Sequence, residues 1–342
     1  MTEMTEFVLF SGLKILCVFA PLMGMVAYAV LAERKIAAAI QDRIGPNRAG
    51  PFGLWQPLAD AGKSFMKEDF TPAYVRKPYY WLAPAITMIP ALLTVAIIPF
   101  GSNIGEQKMV IADLNVGILY TFGIVSLGVY GIVLAGYAAN SKYPFLGGIR
   151  SSAQMISYEL SMALSVVPIF MLVGGLNLSQ VIGYQAHGLF SWMIFKQPLA
   201  FAIFMVAAFA ETNRLPFDMP EAEQELAGGY NVEYSSMKFA LFFMGEYANI
   251  IASSAMMVTL FLGGWTLPWF GLDQPASTMA QGVAHILIFV GKVVVLIFLV
   301  IWVRWMWPRF RYDQLMRLGW QRFLPLALAN IVFTAVVLWM TA

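Results

Sequence analysis

The sequence predicts an all-α polytopic membrane protein of about eight transmembrane helices, with amphipathic interfacial helices in the first inner loop and both termini on the outer side. Three observations carry this. The 342 residues are 60% hydrophobic and only 12% charged, with a mean hydropathy of +0.71, whereas a soluble domain carries about twice that share of charge. Apolar runs long enough to cross a bilayer recur along the whole chain. The Lys and Arg residues are crowded into alternate connections, which orients the bundle.

The apolar runs cover residues 8–32, 79–100, 117–139, 153–174, 192–210, 237–263, 281–303 and 321–341. The fifth is the weakest, because Lys196 and Pro198 interrupt its start. Lys14 lies inside the first run and no basic segment precedes it, so no cleaved signal peptide is expected. The first connection holds Arg34, Lys35, Arg43, Arg48, Lys63, Lys67, Arg76 and Lys77; the third holds Lys142 and Arg150. The fifth holds Arg214 and Lys238, and the seventh Arg304, Arg309, Arg311, Arg317 and Arg322. The even connections hold only Lys108 and Lys196. Cytoplasmic loops are the ones enriched in Lys and Arg, so the odd connections face inward. The chain reads as a single transmembrane domain over 1–342, with a first inner loop at 33–78, an acidic inner loop at 211–236 and a basic inner loop at 304–320.

Redox chemistry within the chain is not expected. One cysteine, Cys17, forms no intrachain disulfide and no cysteine-held cluster, and His187 and His285 lie on different segments, which argues against a bis-histidine haem. The turn "GPNRAGPFG" has the Gly45–Gly50 spacing of a phosphate loop, but Pro51 stands where the lysine must be, so nucleotide binding is rejected.

The inner loops carry the chemistry-bearing residues. In the first, Gln56, Asp60, Lys63 and Lys67 form a polar stripe while Leu54, Trp55, Leu58 and Phe65 cover the rest, as in a helix lying in the membrane interface. Such a helix is either a surface anchor or the wall of a site. The fifth connection, "ETNRLPFDMPEAEQELAGGY", places Glu211, Asp218, Glu221, Glu223 and Glu225 beside the membrane with one cation, Arg214. Asp218 and Glu221 have the spacing of a capping box, with Pro220 near the first turn. That accounts for two carboxylates, not five. Crowded carboxylates oppose one another's ionisation, so such a cluster can store and pass protons. The arginines of the seventh connection either face anionic lipid or dock against acidic groups of a partner or of the fifth loop.

Charges also lie inside the bilayer. Glu159 is roughly 10 Å deep in the fourth run and Glu246 roughly 14 Å deep in the sixth, at 1.5 Å per residue. Asn249 and Ser253 follow Glu246 on one face, and Lys292 lies near the middle of the seventh run with His285 two turns away. Ionisable groups at such depth are expensive and mark ion or proton routes, so Glu159, Glu246 and Lys292 are assigned to proton coupling; a static Glu–Lys pair that locks the bundle is the bland alternative. Ser157, Ser161 and Ser165 recur every four residues and suit close helix packing.

Three stretches, "AERKIAAAIQDRIGPNRAGPFGLWQPLAD", "ETNRLPFDMPEAEQELAGGYNVEY" and "PRFRYDQLMRLGW", together resemble the H-subunit family of the proton-pumping NADH:quinone oxidoreductase, respiratory complex I, over nearly the whole chain. The resemblance implies a subunit joining the membrane arm to the hydrophilic arm and holding the entrance and much of the chamber for an isoprenoid quinone. It implies that Arg34, Lys35, Arg43, Asp60 and Lys63 line the quinone tunnel. Glu211, Arg214, Asp218, Glu221, Glu223 and Glu225 would border the quinone site. Glu159 and Glu246 would begin a chain of protonatable residues leading to antiporter-like subunits, and spans two to six resemble the five-helix unit of those subunits. The quinone is then a substrate, and iron–sulfur clusters and FMN belong only to partner subunits. The implied partners are the hydrophilic iron–sulfur and quinone-site subunits, the small and antiporter-like membrane subunits and lipid, with no nucleic acid. A bacterial plasma membrane is favoured over a mitochondrial inner membrane.

The alternatives are distinct. A homologous membrane subunit of an ion-pumping hydrogenase, or of a complex with another electron donor, shares the architecture but often relaxes the motifs around the quinone. A stand-alone secondary transporter predicts paired interrupted spans in matching halves, which the sequence lacks. A structural anchor leaves Glu159 and Glu246 unexplained.

Overall fold

The computed structural model of the chain describes residues 3–104, 107–220, 228–269 and 271–341. Helix dominates because the apolar runs must satisfy their backbone groups internally in lipid. The long helices are α1 (Glu3–Ile40), α3 (Lys77–Thr94), α4 (Gly117–Ala138) and α5 (Lys142–Val173). The later ones are α9 (Ser236–Phe261), α10 (Met279–Met306) and α12 (Leu324–Thr341). Shorter helices connect them: α2 (Gln56–Met66), α6 (Leu178–Gln185), α7 (Met193–Lys196), α8 (Pro198–Glu211) and α11 (Tyr312–Arg317). Two short strands, Asn103–Ile104 and Gln107–Lys108, pair antiparallel between α3 and α4.

Among the described residues, seven helical stretches are long and apolar enough to cross a membrane, by length and composition. They coincide with seven of the eight predicted runs. The fifth run is the exception. Its continuous helix, α8, starts at Pro198 and spans 14 residues, about 21 Å at 1.5 Å per residue, against about 30 Å of hydrocarbon. Gln197 has φ −134° and ψ 59°, so the chain leaves helical geometry there; Pro198 offers no N–H and stands at the first helical position, where that loss costs least. The break is stabilised from α12. Asn330 Nδ2 donates to Gln197 Oε1 at 3.0 Å, and Gln197 Nε2 donates to Thr334 Oγ1 at 3.0 Å.

Two other boundaries differ from expectation. α1 continues eight residues beyond the predicted end of the first span, so residues 33–40 are helix rather than loop. α5 begins at Lys142, eleven residues ahead of the predicted fourth span, with Pro144 in its first turn, where a missing N–H costs little. The helix ends at Gly174, whose φ of 80° is the left-handed geometry that glycine supplies at a C-terminus.

α9 is the centre of the bundle. In its most apolar 18-residue stretch 72% is buried, against 22% for α1 and 17% for the α11–α12 stretch. α3, α1, α8 and α10 all pack on α9, and this places Glu246 in the interior. α3 and α4 approach closely at Gly131, where a Cβ would fall 2.3 Å from Thr87 Oγ1 and 2.7 Å from Thr87 N. Gly131→Ala is therefore expected to push the two helices apart and destabilise the fold by about 1–3 kcal/mol, the usual range for overpacking. A thermal melt of the purified protein checks this, and an unchanged midpoint would show that the pair separates freely.

Candidate functional site

The C-terminal end of α1 turns one carboxylate into the bundle. Val26, Ala29 and Glu33 lie at helical spacing on the buried face, and Glu33 meets charge from two other elements. The Arg304 guanidinium, from the last turn of α10, donates to Glu33 Oε1. Arg214, from the loop after α8, brings Nη1 to 3.9 Å from Glu33 Oε2 and Nη2 to 3.4 Å from Glu246 Oε2 on α9. Tyr247 donates its hydroxyl to Glu33 Oε2 at 2.7 Å, and the Arg214 guanidinium lies 4.4 Å over the Tyr247 ring. Tyr230 donates to Glu246 Oε1 at 3.2 Å. The side chains of Arg214 and Glu33 are only 5% and 9% exposed. Charges buried to that degree persist only when paired and hydrogen-bonded. Arg214, Glu33, Arg304 and Tyr247 border one small cavity.

The acidic loop enters this network from α8 and is pinned by Gln154 on α5, which is fully buried. Gln154 Nε2 donates to the carbonyls of Ala210 at 2.6 Å and Phe217 at 2.7 Å. The same loop docks on the basic loop: Arg309 Nη2 donates to Asp218 Oδ2 at 2.9 Å, Phe217 stacks on Phe310, and Phe310 N donates to Pro216 O. Pairing between the fifth and seventh connections, one of the two readings of the arginines, is thus present for Arg309. Arg317 and Arg322 remain exposed.

Of the residues singled out from the sequence, the structure brings Glu211, Arg214, Asp218 and Glu246 to one region. Glu211 ends α8, is 9% exposed, and lines a cavity together with Glu246. Glu159, half-buried on α5, lies within electrostatic reach of Glu211. Glu221, Glu223 and Glu225 lie outside the described residues. In the first loop, Arg34 pairs with Asp60 on α2 at 2.7 Å, Gln56 donates to Asp60, and Lys35 donates to the Phe52 carbonyl. Among the described residues Arg43 reaches Gln41, and Lys63 lies on the exposed side of α2. α2 is an amphipathic helix with no buried residue, held to the bundle through its C-terminal end: Ser236 donates to the carbonyls of Ser64 and Lys67, and Lys238 pairs with Asp69 at 2.9 Å.

Lys292 is elsewhere. Its Nζ donates to the carbonyls of Leu262, Gly264 and Thr266 at 2.6, 3.0 and 2.7 Å and lies 4.3 Å over the Trp192 ring. It closes the C-terminal end of α9, where orphan carbonyls attract cations. Among the described residues it pairs with no carboxylate, so the alternative of a static Glu–Lys pair is not seen for Lys292. His285 meets Ser102 Oγ through Nδ1 at 2.8 Å and packs on Trp265.

Sequence reasoning missed Glu33, Gln154, Tyr230 and Tyr247. The usable signal for Glu33 was its place at i+7 from Val26 and i+4 from Ala29, which puts it on the buried face if α1 runs on. Gln154 carried no signal beyond a polar residue in an apolar run. Outside the spans, Tyr74 donates to Glu233 Oε2 at 2.6 Å, and this bond to a carboxylate holds its phenol above the usual range.

Among the described residues no group of three or more His, Cys, Asp or Glu is placed to hold a metal. What the arrangement offers is charge: a buried alternation of carboxylates and guanidinium groups, with tyrosine hydroxyls as donors, from the connecting loops into the bundle.

Comparison with known proteins identifies the family. The sequence model of the NADH dehydrogenase family matches residues 13–335. The first H-type subunit of the NADH-quinone oxidoreductase of Cytophaga hutchinsonii is 48% identical over 336 residues, covering 96% of each chain. The first H-type subunit of the Geobacter sulfurreducens enzyme is 49% identical over 339 residues, 95% of this chain and 93% of the relative. The H-type subunit of the Rhodospirillum rubrum enzyme is 48% identical over 323 residues, 94% and 92%.

Proposed function

This chain belongs to the H-subunit family of NADH-quinone oxidoreductase and is a membrane subunit of that complex, and on that basis we propose that it forms the quinone tunnel entrance and much of the quinone chamber and carries the response to quinone reduction into the membrane. The observation that supports this most directly is the buried network of Glu33, Arg214, Arg304 and Glu246. It begins where the inner loops meet the bundle and ends inside α9, and every member is a charged group. Reduction of a quinone places negative charge and takes up two protons at the chamber. Guanidinium groups held between carboxylates respond to new charge by shifting toward one partner or the other, because the low-dielectric interior transmits such changes strongly.

In this reading the α2 segment, with Arg34 and Asp60 paired and Lys35, Arg43 and Lys63 beside them, forms the polar part of the tunnel. The acidic loop borders the chamber. Glu211, Glu159 and Glu246 receive the protons or the electrostatic signal, and Glu221, Glu223 and Glu225 contribute from the loop. Electrons come from centres in partner hydrophilic subunits, and the protons continue into small and antiporter-like membrane subunits. The membrane is a bacterial plasma membrane, with both termini outside.

Glu221→Gln and Glu223→Gln are expected to leave electron input from NADH to an artificial acceptor intact while reducing coupled proton transfer. Wild-type proton-to-electron stoichiometry in both variants would sink the coupling role of the acidic loop.

A further inference from the structure

Two small cavities adjoin beside α9. One, of about 20 Å3, is lined by Glu246, Tyr230, Asn213, Glu211, Thr212 and Asn249. The other, of about 30 Å3, shares Glu211, Thr212 and Asn249 and continues past Ser253 to Thr94 and Thr121. A water molecule needs about 10–15 Å3 of such room and two to four polar partners, so each cavity has room for one or two waters.

The polar groups around them are not equivalent. Thr94, Thr121, Thr212 and Ser253 already donate their hydroxyl hydrogens to carbonyls of their own helices, at 2.9–3.1 Å. They offer a guest only lone pairs. Asn213 accepts from Ser151 and Gln154, and Tyr230 donates to Glu246. Glu211 and Asn249 differ: both line both cavities, and neither side chain has a hydrogen-bond or ion-pair partner among the described residues. Glu211 is nine-tenths buried, and a buried carboxyl without a protein partner requires solvent. Asn249 sits one turn after Glu246 on the same face of α9, and its carboxamide, unlike that of Asn213, which already meets Ser151, Gln154 and Met155, offers both donors and an acceptor to a guest.

We infer that Asn249 is a positioning residue that holds water between Glu246 and Glu211, making the two cavities one hydrated step. The inference rests on the carboxylate reading proposed above. A proton leaves one carboxyl O–H for the water, and the water releases a proton to the other carboxylate, so nothing but a proton moves. Asn249 itself never changes protonation; it fixes where the water's lone pair and hydrogen point.

The test uses the assembled complex in liposomes. Asn249→Leu, close in length but apolar, fills and dries the cavities; Asn249→Ser leaves room and a polar group; Glu246→Gln is the reference. Asn249→Leu is expected to lose most coupled proton transfer while keeping electron input and assembly, and Asn249→Ser to retain the wild-type ratio of protons to electrons. Should Asn249→Leu fail to assemble, Asn249→Val fills less space and is read the same way. Equal losses in the Leu and Ser variants, or a wild-type ratio in Asn249→Leu alongside a loss in Glu246→Gln, would overturn the role of Asn249 alone. A wild-type ratio in Glu246→Gln would overturn the carboxylate reading on which it rests.

Discussion

Glu33→Gln is expected to produce the largest loss of any single substitution at the site. Glu33 accepts from Arg304 and Tyr247 and lies within ion-pair distance of Arg214. Removing its charge leaves two guanidinium groups facing each other in the interior with less compensation. Breaking a buried pair by removing one partner costs about 3–5 kcal/mol, mostly because the remaining charge stays buried. The expected result is a sharp fall in assembled complex and in NADH:quinone activity, measured on native gels and with purified membranes. Arg304→Gln in the same chain should recover part of the assembly, because it removes the orphaned charge; the two changes are coupled and must be less damaging together than their sum. Additive losses would mean that water screens the pair and that Glu33 does not organise the network.

Lys292→Met is expected to be the second-largest, and it separates two roles for this lysine. Its Nζ is the hydrogen-bond donor to three carbonyls beyond α9. Methionine keeps the stem and removes all three bonds. Each buried carbonyl left without a donor costs about 1–3 kcal/mol, so the fold should lose about 3 kcal/mol or more and the α9–α10 contact should loosen. The midpoint of thermal unfolding should fall substantially, whereas complex that does assemble should pump with the wild-type ratio of protons to electrons. A lowered ratio in stable, fully assembled complex would support the place on the proton path that its depth in the seventh span suggests for Lys292. Lys292→Arg is the informative partner variant, since it keeps the charge but changes the donor geometry.

Both outcomes turn on contacts between distant parts of the chain, and that divides what the sequence shows from what it hides. Hydropathy marked eight runs, seven of which coincide with long apolar helices among the described residues, because membrane solvent imposes a one-dimensional requirement: enough consecutive apolar residues to cover the hydrocarbon. It placed the fifth span too generously. The 192–210 run is apolar enough in composition, but its continuous helix begins only at Pro198 after a break at Gln197, and only the amide of Gln197 meeting Asn330 and Thr334 shows how the break is tolerated. The amphipathic stripe of Gln56, Asp60, Lys63 and Lys67 was legible because a helix facing an interface repeats every 3.6 residues.

The family was likewise legible, since three long motifs stand in order along the chain, and they pointed to Arg34, Asp60, Glu211, Arg214 and Asp218. Depth along a span identified Glu159 and Glu246, because any charge there is conspicuous. A helical membrane protein, its charged loops and the family of complex to which it belongs therefore follow from the order of residues without any coordinates.

Which charges meet is a matter of packing. Glu33 and Arg304 are 271 positions apart, and nothing local couples them. Glu33 reads as the first residue of a loop until α1 runs on to Ile40 and turns it inward. Gln154 is one polar residue in an apolar helix until the carbonyls of Ala210 and Phe217 come to it. Lys292 sits at the right depth for a proton path, yet it takes the carbonyls beyond α9 as its partners. The physical reason is the same in each case. Burial raises the cost of an unpaired polar group, so each one takes the partner that packing brings within about 3 Å, and packing is set by the whole bundle rather than by neighbours in sequence.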